Sequence, residues 1–75
     1  MAPEHIKMLE DQRPAAEKVI AGHGTRSIRM DALFHILKAE FNPNYRFNEW
    51  EVEEVVAMIK EVYRFFDEYK AKNPA

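Results

Sequence analysis

The stretch NEWEVEEVVAMIKEVYRFFDEY, Asn48 to Tyr69, decides the fold. Within it Val52, Val55, Ile59, Val62, Phe66 and Tyr69 alternate steps of three and four residues, the spacing that gathers side chains on one face of an α-helix. At about 1.5 Å per residue such a helix runs to roughly 30 Å. Its apolar face must be covered by the rest of the chain, by a second copy, or by another protein. Asn48 with Glu51 three positions on reads as a capping-box variant that would start the helix. Glu49, Glu51, Glu53 and Glu54 stand near its positive end, Lys70 and Lys72 near its negative end. Asn73 and Pro74 close it.

Upstream, Asn42, Pro43 and Asn44 interrupt the chain, because proline disfavours helix at the residue before it and asparagine tolerates turn geometry. Asp31 to Phe41 then reads as a core helix, with Asp31 as N-cap and Leu33, Phe34, Leu37 and Phe41 forming its apolar stripe. These residues are the natural cover for the seam on the long helix. A first helical stretch opens at Pro3 and Glu4 and places Ile6, Leu9, Ala16 and Ile20 near one face. Pro14 lies inside it, and the loss of an amide donor together with a clash against the preceding turn predicts two pieces with a tight joint, the second starting at Pro14. Gly22, His23 and Gly24 end the stretch, since glycine accepts the left-handed backbone of a helix C-terminus.

The expected architecture is therefore all-α, a single small domain over residues 1–75. It has three main helices, or four if the first breaks at Pro14, and a long C-terminal helix. The lead-ins to the last two helices echo each other, Ser27-Ile28-Arg29-Met30 beside Tyr45-Arg46-Phe47. They could pair as a minimal two-stranded bridge; the alternative is two unrelated loops whose Ile28, Tyr45 and Phe47 tuck under the core.

Composition excludes several classes. At 75 residues, a single core only just outweighs chain entropy, and with no cysteine there is neither a disulfide framework nor a thiolate metal site. Apolar residues at 47% and charged residues at 32% mark a globular chain. No long uncharged apolar run is present, so no membrane insertion is expected and the compartment is read as cytoplasmic. The net charge of -2 is unevenly spread: Glu49 to Glu68 carries seven acids against Lys60 and Arg64, whereas Arg26, Arg29, Lys38 and Arg46 outnumber Asp31 and Glu40 in the middle.

Catalytic and metal signatures are missing. His5, His23 and His35 fall in three different segments, and no His-x-x-x-His or Glu-x-x-His pair sets two ligands on one helical face. Gly22-His23-Gly24-Thr25-Arg26 lacks the lysine and spacing of a phosphate loop. Thr25 and Ser27 are the only aliphatic hydroxyls, with no orienting acid beside them. An enzyme is not expected, and neither a cofactor nor a metal is implied.

What remains is a recognition surface. Met58, Phe65 and Tyr69 flank the seam as a second ridge, and methionine and aromatics are favoured at interface cores. Beside them Glu51, Glu54 and Glu61 would select a partner with basic and apolar residues. Trp50 is expected to pack on Tyr45 and Phe47, its alternative being an exposed anchor of the kind that dominates binding energy. The expected function is a non-enzymatic protein-protein interaction module or small accessory or regulatory subunit, docking through the C-terminal helix on another protein or on its own copy as a homodimer. The partner-binding residues would be Met58, Phe65, Tyr69, Glu54, Glu61 and Trp50. The alternative is a small helical DNA-binding regulator using Arg26, Arg29 and Arg46, against which stand the sequence pI near 5.9 and the acidic final helix.

Overall fold

The computed structural model describes residues 1–23 and 28–73. It contains α1 (Pro3–Ile20), α2 (Met30–Ile36), which runs on as a π-helical turn (Leu37–Phe41), and α3 (Val52–Lys72). The fold is all-α with three helices, and each helix packs against the other two. No strand occurs among the described residues, so the two-stranded bridge does not form. Arg29 instead donates its backbone N–H to Gln12 Oε1 at 2.8 Å, while Tyr45 and Phe47 turn their rings onto Phe34, with centroids 6.5 and 4.8 Å away. Ser27 lies outside the described residues.

The core takes part of the stripes that the spacing marked: Val19 is buried in place of the expected Ile20, which is exposed, while Ile36 is core and Ile6, Phe34 and Phe41 are only partly buried. Leu9, Ala16 and Val19 of α1, Leu33, Ile36 and Leu37 of α2 and its π turn, and Val55, Met58, Ile59, Val62, Tyr63 and Phe66 of α3 are buried together. At about 100° per residue the buried residues of α3 sweep an arc of roughly 140°, from Met58 at one edge to Tyr63 at the other. One neighbouring helix cannot cover so wide a face. Both α1 and α2 are needed.

α1 is continuous through Pro14, contrary to the expected break. The ring faces solvent, and the amide it lacks would have met the carbonyl of Glu10 on an exposed side of the helix. Leu9 before the proline and Ala16 and Val19 after it enter the same core, so breaking the helix would uncover one of the two halves. The Tyr63 hydroxyl donates to the Leu9 carbonyl at 2.7 Å, fastening α3 to α1 about a turn and a half before Pro14. Burial pushes the Tyr63 phenol well above its ordinary range, so the hydroxyl keeps its proton.

The helix ends follow local chemistry at one site and depart from it at another. Gly22 sits at φ +89°, with its N–H donating to Val19 O at 3.0 Å and the His23 N–H to Lys18 O at 2.8 Å. That pair of bonds is a Schellman closure of α1, as the glycine implied; Gly24 lies outside the described residues. Asn42 ends the π turn through its N–H to Leu37 O at 2.7 Å and accepts from the Asn44 N–H at 3.2 Å, giving the expected break. Asp31 does not cap α2, which begins one residue earlier with Arg29 at the capping position. Asn48 likewise does not cap α3. Its side-chain oxygen accepts from the Trp50 N–H at 3.0 Å and its own N–H donates to Glu54 Oε1 at 3.0 Å. The chain makes a tight turn over 48–51, and the helix starts at Val52 behind an extended Glu51.

Two stability measurements follow from this packing. Pro14→Ala restores an amide on an exposed helical face and should stabilise the chain by about 2 kcal/mol, read as a higher urea midpoint at an unchanged m-value; a lower midpoint would mean that the ring supports α1. Tyr63→Phe leaves the Leu9 carbonyl without its buried partner and should cost about 1–2 kcal/mol, roughly 5–10 °C of Tm in a domain this small.

Candidate functional site

At its N-terminal end the apolar face of α3 runs out past the core. Val52 shares the angular sector of Ile59 and Tyr63, yet it is 69% exposed, because the cover that buries Val55 one turn further on does not close over it. The Asn48 turn delivers Trp50 immediately before it, 86% exposed. Two large apolar side chains thus stand in water where a buried face ends. Beside them Ile28, Met30, Glu49, Val52 and Val55 line an open cleft of about 170 Å³. Its floor is Val55, a core residue.

The rim is acidic. Glu49, Glu51 and Glu53 are exposed, and none forms an ion pair among the described residues. Glu54 commits one oxygen to the Asn48 N–H. Trp50 does not pack on Tyr45 and Phe47, because those two rings are already engaged with Phe34, which also carries Lys38 Nζ 5.2 Å from its centroid.

The other residues expected at a partner surface are placed differently. Met58 is fully buried and cannot face a partner. It occupies the edge of the α3 arc, where a side chain reads equally as flank or core until a neighbouring helix covers it. Phe65 is half-buried, stacked on Phe41 at 5.1 Å with an interplanar angle of 10°, and the Arg64 guanidinium lies 4.4 Å from its centroid. Tyr69 borders a broad groove of about 420 Å³ with Met1, Phe41 and Phe65, whose rim mixes Glu40, Glu68 and Lys72. Glu61 is paired with Arg64 at 2.6 Å, which removes it from the acidic row. Of the six residues, Trp50 and Glu54 belong to the α3 entrance, Phe65 and Tyr69 to the separate groove at the other end, Glu61 to a surface ion pair, and Met58 to the core.

Arg29 and Arg46 are exposed, and Arg26 lies outside the described residues. Arg29 stands in sequence between Ile28 and Met30, two residues of the cleft that Glu49 also lines. A phosphate approaching it would meet the carboxylates at the start of α3.

Two polar clusters serve the fold. The Arg13 guanidinium makes a forked pair with the Asp67 carboxylate at 2.7 and 2.9 Å and lies 5.2 Å from the Tyr63 centroid, holding the Asp67 carboxyl below its ordinary range. Glu40, on the π turn, accepts from the Ala2 N–H at 2.9 Å, and His5 Nδ1 lies 2.6 Å from the same oxygen. The His35 ring meets that of His5 edge-on at 5.8 Å. Among the described residues no group of three or more His, Cys, Asp or Glu side chains is placed to hold a metal ion, and no buried side-chain N or O atom lacks a hydrogen-bond partner.

The molecule is thus a small three-helix domain with an acidic, tryptophan-bearing entrance to its longest helix. Against protein-family models, curated proteins and solved structures, the chain has no match. No helix of the described residues is long and apolar enough to cross a membrane.

The Glu40 contacts have a pH signature. The Ala2 N–H first, and His5 second, hold the Glu40 carboxyl below its ordinary range. A depressed folded value means that the stabilisation is complete above the unfolded carboxyl pKa, about 4.3, and is lost as pH falls through the folded value. Glu40→Gln should therefore cost about 1 kcal/mol at pH 7, with the parent and variant stabilities converging as pH falls through the folded value; a gap that persists in acid would assign the loss to packing.

Proposed function

We propose that this chain is a non-enzymatic protein-protein interaction module, a small accessory or regulatory subunit that docks through the N-terminal end of its C-terminal helix. The observation that carries the reading is the joint exposure of Trp50 and Val52 at 86% and 69%, Val52 lining an open cleft of mixed apolar and acidic character. An indole covers about 200 Å², so at about 25 cal/mol per Å² its exposure forgoes on the order of 4–5 kcal/mol of burial. Single exposed apolar residues are common on protein surfaces. Here, however, Val52 lines a cleft that reaches the core residue Val55, Trp50 stands two residues before it in sequence, and tryptophan is among the residue types most enriched as energetic anchors of interfaces.

The groove at Phe65 and Tyr69 is the weaker docking candidate. The Phe65 ring is already engaged with Phe41 and with Arg64, and the rim carries charges of both signs.

The test compares affinity capture from native lysate by the parent and by a Trp50→Ala, Val52→Ser double variant. Both positions are exposed, so thermal unfolding of the variant should stay within about 0.5 kcal/mol of the parent. Protein species retained by the parent and lost by the folded variant support docking here. Identical retention by both would overturn it.

A further inference from the structure

We infer that the occupant of the α3 entrance is a basic, apolar peptide segment of another protein, one large aliphatic or aromatic side chain filling the cleft and flanking Lys or Arg residues meeting Glu49, Glu51 and Glu53. The inference rests on the docking reading above and specifies its partner.

Size comes first. The cleft of about 170 Å³ lined by Ile28, Met30, Val52 and Val55, with Glu49 at its side, suits one side chain, since a cavity of about 150 Å³ accommodates a benzene ring. It is too small for a helix face, so a single anchor enters it, and Trp50 adds a second apolar surface outside. Charge comes next. The segments forming the entrance, 28–30 and 49–55, bring four carboxylates and one guanidinium. Glu49, Glu51 and Glu53 are exposed without ion pairs among the described residues, so their fields extend into solvent around the indole. A basic segment would be steered onto the patch and held by it.

The same charges disfavour a second copy. A two-fold interface sets a patch against a copy of itself, so two surfaces each carrying four carboxylates against one guanidinium would meet, and an excess of like charge across an interface is costly. A phosphate backbone is disfavoured for the same reason.

The experiment selects a random-peptide display library on the immobilised full chain and counter-selects it on Trp50→Ala. The expected result is a Trp50-dependent set rich in Lys and Arg with Leu, Ile or Phe between them. Synthetic members of that set should blue-shift the emission of Trp50, the only tryptophan in the chain, and bind at least tenfold more weakly in 0.5 M salt than in 0.05 M salt. A variant carrying Glu49→Gln, Glu51→Gln and Glu53→Gln, with the parent's circular dichroism, should lose the same peptides. A Trp50-dependent set of neutral or acidic composition would overturn the inference and leave the docking reading standing. Concentration-dependent sedimentation of the parent, abolished by Trp50→Ala, would replace the peptide with a second copy. Absence of any Trp50-dependent peptide would overturn the docking reading together with the inference.

Discussion

Six residues of α3, Val55, Met58, Ile59, Val62, Tyr63 and Phe66, leave water together, and the rest of the structure follows from the width of the face they make. A stripe of this breadth demands two covering helices. α2 supplies Leu33, Ile36 and Leu37; α1 supplies Leu9, Ala16 and Val19. Because α1 must cover its share on both sides of Pro14, it stays helical through a residue that would ordinarily break it, and the Tyr63 hydroxyl bonded to the Leu9 carbonyl holds that register. The exposed Arg13–Asp67 pair joins the same two helices at the surface, where ion pairs contribute little.

The same cover determines what is left outside. Its edge takes in Met58 and stops short of Val52, so the apolar face emerges at the start of α3 and not along its flank. The Asn48 turn then sets Trp50 next to that exposed end. The apolar surface exposed here is the remainder of core closure, and the carboxylates of Glu49, Glu51 and Glu53 around it form no ion pair among the described residues. At the opposite end the apolar surface has been largely used: Phe65 is stacked on Phe41, and Glu40 ties the start of α1 to the π turn.

Much of this was legible in particular residues. The seam from Val52 to Tyr69 reads as helix because its period repeats over several turns and no competing signal of similar strength exists. Gly22 reads as a helix end because its positive φ is a conformation that side chains resist. The Asn42-Pro43-Asn44 break is equally local. Pro14, Asn48 and Met58 misread for a common reason: each offers two local outcomes separated by a few kcal/mol or less, a gap that tertiary burial can reverse. Trp50 was visible as a candidate anchor. Its exposure was not, since the rings expected to shelter it were free to choose Phe34.

By itself, then, the sequence determined an all-α chain, the presence of its three helices, the stripes that enter the core and the acidic character of the C-terminal segment, because periodicity and charge are properties of neighbours along the chain. Only the tertiary structure decided that α1 passes Pro14 unbroken, that Met58 lies inside, that α3 begins at Val52, and that Trp50 and Val52 stand in water above a cleft. Those outcomes depend on where one helix ceases to cover another. That limit is set by the packing of segments distant in sequence, and no local pattern encodes it.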